Sequence, residues 1–153
     1  MVSYILLSML LVVVTVLIHA GGTSRWLAFL VARFKHDRAL NRQNSLLLSL
    51  AGTGLILLIL HAVQILLWAL AYMHLLPPTV LDTLEEATYF SFVTFTTLGY
   101  GDITLTGPWR IMSGIEALNG ILLVGWSTAM LFAVVQRSWQ NSLHATRDSE
   151  ELQ

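Results

Sequence analysis

Residues 96–102 read Thr-Thr-Leu-Gly-Tyr-Gly-Asp, and the chemistry on offer there belongs to the main chain. Gly99 and Gly101 reach backbone dihedrals closed to residues with a Cβ, so successive carbonyls can point to one side instead of alternating as in a strand. A single chain cannot surround an ion with such a column of oxygens, whereas four copies about an axis can, each giving one oxygen per layer. Side-chain chemistry is sparse by comparison. There is no cysteine, which removes disulfides, thiol catalysis and thiolate metal sites. His61 and Glu116 are the candidates for acid-base work, and no HExxH-like or paired-acid spacing accompanies them. A membrane-embedded enzyme using these two residues is therefore the weaker alternative, and neither a catalytic residue nor a cofactor is expected.

The elements that must position this stretch follow from composition. Hydrophobic residues make up 56% of the 153-residue chain and charged residues 11%, with a mean hydropathy of +0.70. Soluble domains carry roughly 25% charged residues, so this is a membrane protein. The net charge of −1 says little, because the placement of Lys and Arg among the loops decides topology.

Residues 1–20 form the expected first transmembrane helix, since no charged side chain occurs before Arg25. The apolar part from Tyr4 to Ile18 with its flanks can cross about 30 Å of hydrocarbon at about 1.5 Å per residue. A cleaved signal peptide fits less well, for no basic residue precedes the apolar run and Ile18-His19-Ala20 is a poor cleavage site. Gly21, Gly22, Thr23 and Ser24 are expected to break the helix, with Ser24 capping a new one. Residues 21–44, which hold Arg25, Arg33, Lys35, Arg38 and Arg42, read either as an interfacial amphipathic helix or as an ordinary basic loop; nucleic-acid binding is not indicated. An outer helix is expected over 45–74, closed by Pro77-Pro78. An inner helix is expected over 109–136, and residues 138–153 form a short tail, too few for a regulatory ligand-binding domain. Five of the eight basic residues lie in the 25–42 loop and two, Arg137 and Arg147, in the tail. The positive-inside tendency puts both segments in the cytoplasm and the amino terminus outside. Short length without regulatory domains points to a cell membrane of the bacterial inner-membrane kind.

The segment 75–108 should then lie at the outer face. Asp82 with Glu85, and Thr83 with Glu86, each place a capping side chain three residues ahead of an acid, so a helix is expected over 83–95. At about 1.5 Å per residue it reaches only about 18 Å, too short to span, and it must re-enter. Irregular backbone at membrane depth survives only where it is buried in protein or lines a watery cavity. The stretch 96–102 therefore lines a pore, and the C-terminal end of the helix dipole favours a cation over an anion.

This arrangement of span, re-entrant helix, Thr96-Thr97-Leu98-Gly99-Tyr100-Gly101-Asp102 and span resembles the pore module of the potassium-channel family over residues 45–137, a family whose filter is a standard example of carbonyl coordination. The resemblance implies an all-α, homotetrameric membrane channel with three transmembrane helices per chain. Its filter, Thr97, Leu98, Gly99, Tyr100 and Gly101, would bind K+, the permeant ion, through the carbonyls of Thr97, Leu98, Gly99 and Tyr100 and the hydroxyl of Thr97. Thr96, Asp102 and Tyr89 would support the filter, Asp102 bracing it from behind through the Tyr89 hydroxyl. Leu98 replaces the valine usual in that slot, a modest departure because it contributes its carbonyl. Nineteen residues beyond Gly101, Gly120 falls where the family places a gating hinge, close helix packing being its other reading. Gly125 with Ala129 fits a small-residue packing pattern. Ile121, Val124 and Thr128 would line the central cavity. A weakly selective cation channel and a non-conducting regulatory subunit are the competing functions.

An acid within a span costs on the order of 2.5–3.5 kcal/mol on insertion scales unless paired, protonated or hydrated. Depth counting puts Glu116 and Asn119 level with Gln64, with His61 one turn deeper, which suggests one buried polar cluster. It serves either as a static hydrogen-bonded clamp or, through His61, as a proton-sensitive gate. The first span carries no arginine ladder for voltage sensing, and it is expected to act as a peripheral anchor.

Overall fold

Apolar runs of span length and one capped short stretch become the helices of this chain. In order they are α1 (Val2–His36), α2 (Arg42–Leu75), α3 (Leu84–Phe95) and α4 (Trp109–Glu150). The computed structural model describes residues 2–36, 42–77, 80–107 and 109–150, with side chains described over 2–33, 47–77, 80–107 and 109–137. Three segments, Val2–Arg33, Leu47–Leu75 and Trp109–Arg137, are long and apolar enough to cross a membrane. The chain is thus an all-α membrane protein, with three candidate spans among the described residues and a short helix between the second and third. α2 ends two residues before Pro77, as expected where proline disfavours the helical course of the residue ahead of it. Pro78 and residues 37–41, with Arg38 among them, lie outside the described residues.

Two boundaries differ from the sequence reading. α1 runs unbroken through Gly21, Gly22, Thr23 and Ser24, so Ser24 caps nothing. A side chain at Gly22 would meet Leu60 of α2, the ideal Cβ lying 2.6 Å from its Cδ2. The glycine therefore serves close helix approach and not termination. The Thr23 hydroxyl donates to the His19 carbonyl at 2.7 Å, satisfying itself within the helix. Residues 25–36 accordingly continue the first helix instead of forming a separate one. At the other end, α4 extends past Gln136 to Glu150, there being no glycine or proline after Gly125 to end it.

α3 packs between α2 and α4, while α1 lies against α2 and α4. The side chains fix the directions. Tyr4 stacks near Trp109 with ring centroids 4.2 Å apart, and His19 meets the ring edge of Trp126 at 5.6 Å, so α1 and α4 run parallel. The Trp26 indole donates to the Thr53 hydroxyl at 2.9 Å while Gln64 reaches Thr15, so α2 runs the opposite way. The core lies where α2, α3 and α4 converge. Ile65, Trp68, Ala69 and Tyr72 present one stripe of α2 at helical spacing, continued by Leu76 just past its end, and Ala87, Phe90 and Phe95 of α3 with Met112 and Leu123 of α4 close upon it. Tyr72 and Phe90 meet edge to face at 5.2 Å, a favoured aromatic geometry.

Candidate functional site

α3 is fixed at both ends. Of the two capping registers the sequence allows, the Thr83 and Glu86 one forms: the Glu86 N–H donates to Thr83 Oγ1 at 3.2 Å, and the Asp82 N–H donates to Glu86 Oε2 at 2.9 Å. At the C-terminal end the departing chain is tied back to the last turn. The Thr96 N–H donates to the Phe92 carbonyl at 3.1 Å, Thr97 to Thr94 at 2.9 Å, and Leu98 and Gly99 both to Val93 at 3.0 and 3.3 Å. These bonds use the carbonyls a helix end leaves free.

Beyond this tether the backbone takes positive φ at every second residue: +58° at Thr97, +58° at Gly99 and +80° at Gly101. Such alternation lets consecutive carbonyls share a side, which a strand cannot do. Glycine adopts these dihedrals freely, whereas Thr97 carries a Cβ into the left-handed region at a cost of about 1–2 kcal/mol. Thr97 was not foreseen as a strained position. Strain of this kind persists where surrounding bonds over-determine it, here the tether to α3. Residues 96–102 are all exposed on the single chain, Leu98 at 52% and Tyr100 at 68%, so none of the described residues closes over them.

Tyr89 and Asp102, expected from the sequence to support a filter, do meet: the Tyr89 hydroxyl donates to Asp102 Oδ2 at 2.7 Å. This bond holds the Asp102 carboxyl below its ordinary range and the Tyr89 hydroxyl above its own. For a lowered carboxylate, the interaction is complete above the ordinary value of 3.8 and is lost only as pH falls through the lower folded value. Tyr89→Phe should therefore bring Asp102 back toward ordinary behaviour and make the loop give way at a higher pH than in the parent. An acid titration of loop integrity, read by limited proteolysis of 96–107, checks this; identical acid midpoints for parent and variant would remove the role given to the bond.

The four residues expected to share one polar cluster do not. Glu116, fully buried, accepts from the Tyr72 hydroxyl at 2.7 Å and pairs with the Ser91 hydroxyl, and Ser91 also reaches the Ile65 carbonyl at 3.0 Å. This unit joins α2, α3 and α4. His61, Gln64 and Asn119 belong to a second network, which includes α1. His61 approaches Gln64 Oε1 at 3.2 Å and Ser127 Oγ at 2.9 Å, and Gln64 Nε2 lies 3.1 Å from His19 Nδ1. Asn119 donates to the Thr15 hydroxyl at 2.9 Å, while its carbonyl oxygen has no partner among the described residues. The split has a simple cause. Residues 116 and 119 differ by about 60° around a helix, enough to aim one at α2 and α3 and the other at α1.

Tyr72, Ser91, Ser127, Thr15 and His19 escaped the sequence reading. A signal for the α1 pair was present: Ser8, Thr15, His19 and Thr23 recur at steps of seven, four and four along an apolar helix, a single face by helical geometry, and all four are buried.

Gly120 lies directly under the end of α3. A Cβ there would overlap the Phe95 carbonyl oxygen and come within 2.8 Å of its carbon. Gly125, by contrast, has open space within the chain. Ile121, Val124 and Thr128 are exposed along α4, on steps of three and four that define one helix face.

A family model described as "Ion channel" matches residues 58–137, which is 80 of the 153 residues. No curated protein matches the chain, nor does any solved structure.

Proposed function

The chain belongs to this ion-channel family, and we propose that it conducts K+ selectively and passively across the membrane as a homotetramer, without catalysing a reaction. The observation that carries this reading is the alternation of positive φ at Thr97, Gly99 and Gly101, at the C-terminal end of a capped helix only 12 residues long. Four such loops about an axis supply rings of carbonyl oxygens, a ligand set that replaces the hydration shell of K+. In this reading the ion binds the carbonyls of Thr97, Leu98, Gly99 and Tyr100, with the Thr97 hydroxyl at the inner end. Ile121, Val124 and Thr128 face the cavity below, and bending at Gly120 serves opening. The basic segments 25–42 and 137–147 face the cytoplasm, and the parallel course of α1 and α4 accords with an amino terminus outside.

The purified protein in liposomes under bi-ionic K+ and Na+ conditions tests the proposal. The reversal potential is expected near the K+ value, with current abolished by Gly99→Ala, because the new Cβ would sit at φ +58° in a ring with three copies of itself. Equal Na+ and K+ currents would establish a weakly selective cation channel instead. Absence of current from folded, reconstituted protein would favour a non-conducting subunit.

A further inference from the structure

The network on α1, α2 and α4 closes into a ring whose hydrogen positions can be assigned. Gln64 Nε2 lies 3.4 Å from the Thr15 carbonyl, a pure acceptor, so the amide nitrogen faces α1 and Oε1 faces His61. The same nitrogen donates to His19 Nδ1 at 3.1 Å. A neutral His19 therefore carries its proton on Nε2, which points at Ser127 Oγ 3.4 Å away. His61 must have the other tautomer. Its Nδ1 faces the acceptor Gln64 Oε1 at 3.2 Å and donates, leaving Nε2 as an acceptor 2.9 Å from Ser127 Oγ. The circuit runs from Gln64 to His19, to Ser127, to His61 and back to Gln64.

The Ser127 hydroxyl has a second acceptor in reach, the Leu123 carbonyl at 3.0 Å. With His61 neutral, the Nε2 lone pair is matched only when the hydroxyl hydrogen points at His61. With His61 protonated at Nε2, it can turn to Leu123 and accept from His61 instead. His19 has no such freedom, for a proton on Nδ1 would face the Gln64 amino group. The two imidazoles, 5.3 Å apart between centroids, are thus unequal, and a metal bridging both Nε2 atoms is disfavoured because His19 presents an N–H there.

We propose that His61 is a proton-binding site, that taking up the proton switches the Ser127 hydroxyl from His61 to the Leu123 carbonyl, and that acid thereby favours the conducting state. The titratable group facing His61 is His19 of α1. From α3 it meets the ring of Phe95 at 5.7 Å, from α4 the Ser127 hydroxyl, and from its own helix Gln64. Glu116 of α4 is engaged with Tyr72 and Ser91 and offers no counter-charge. An imidazolium in this place is uncompensated within the span, so the proton favours any arrangement in which α4 withdraws and water reaches the ring. Phe95 supplies the route to the filter, since it ends α3 and its carbonyl abuts Gly120. The effect on flux rests on the potassium-channel reading, whereas the tautomers do not.

Imidazole 15N spectra of the full chain in bilayers, paired with K+ flux from the same preparation, test both parts. At neutral pH His61 should show the Nδ1–H tautomer and His19 the Nε2–H tautomer, and acid should convert His61 first. Flux should rise about fivefold or more, a usual size for coupling between sites, on acidification from about pH 7.5 to about 4.5, a range that starts above and ends well below the ordinary histidine value. His19→Gln keeps the acceptor and donor pattern and should retain the rise; His61→Gln keeps the pattern but cannot titrate and should be flat. An Nε2–H tautomer at His61, earlier titration of His19, or a flux rise that survives His61→Gln would overturn the proposal. A flat parent flux with the assigned tautomers would overturn its coupling to conduction. Should the protein carry no current, the spectra still decide the proton site.

Discussion

Gly120→Ala is expected to abolish selective conduction and to lower the thermal stability of the assembled protein, while Gly125→Ala leaves both close to the parent. The added methyl at 120 collides with the Phe95 carbonyl oxygen and with the backbone behind it, the Phe95 Cα lying 3.2 Å from the ideal Cβ. Backbone cannot rotate away as a side-chain tip can, so either α4 or the end of α3 must move. Overpacking of this kind costs about 1–3 kcal/mol. The displaced group also belongs to the turn that anchors the 96–102 loop: Val93 accepts from Leu98 and Gly99, and Thr94 from Thr97. A shift there tilts the segment whose carbonyls coordinate the ion in the proposed function. K+ flux, the K+ over Na+ ratio and the melting temperature of the purified oligomer should fall together. The hinge reading makes a different forecast, in which alanine stiffens α4 and lowers open probability but preserves selectivity and melting. Unaltered selectivity and melting in Gly120→Ala would therefore show that the contact with Phe95 yields easily and that bending is the residue's main duty.

What the sequence disclosed and what it hid divide along physical lines. The short helix α3 was legible because its start is written in local chemistry, Thr83 and Glu86 satisfying free N–H groups, and its end in Gly99 and Gly101. The spans were legible from length and apolarity alone. Gly21 and Gly22 misled because the cost of glycine in a soluble helix says little about a membrane helix. There the backbone has no water to turn to, and small residues mark contact. α1 was undervalued for a related reason. Its polar side chains are few, and only their spacing distinguishes an anchor from a helix that hydrogen-bonds inward through Thr15 and His19. The cluster around Glu116 was predicted from depth, a quantity that sequence yields at about 1.5 Å per residue. Rotation about the helix axis separates Glu116 from Asn119, and it is set by packing. The positive φ of Thr97 has no sequence signal, since nothing about threonine announces it.

Glu116→Gln should leave stability and flux near the parent, whereas Glu116→Leu should be severe, and the difference follows from counting hydrogens. Ser91 has one hydroxyl hydrogen and two acceptors in reach, the Ile65 carbonyl and Glu116 Oε1. If Glu116 is ionised, Ser91 serves one of them, the Ile65 carbonyl otherwise keeping only its bond within α2, and a charge without a cationic partner among these contacts stays in the span. If Glu116 carries its proton on Oε1, that proton is donated to Ser91, Ser91 donates to Ile65, and Tyr72 donates to Oε2; every group is matched and no charge resides in the span. A glutamine whose amino group takes the place of Oε1 reproduces this pattern, which predicts a change within about 1 kcal/mol, the net worth of a typical hydrogen bond. Leucine fills comparable space but strands the Tyr72 hydroxyl, fully buried between α2 and α4. Leaving such a donor unmatched costs about 1–3 kcal/mol, and the tie from α2 and α3 to α4 is lost with it. Tyr72→Phe, combined with Glu116→Leu, removes the stranded hydroxyl and should recover part of the loss in melting temperature without restoring flux. Melting and K+ flux of the four proteins decide the matter: if the glutamine variant is as damaged as the leucine one, Glu116 acts as a charged carboxylate and the neutral assignment fails.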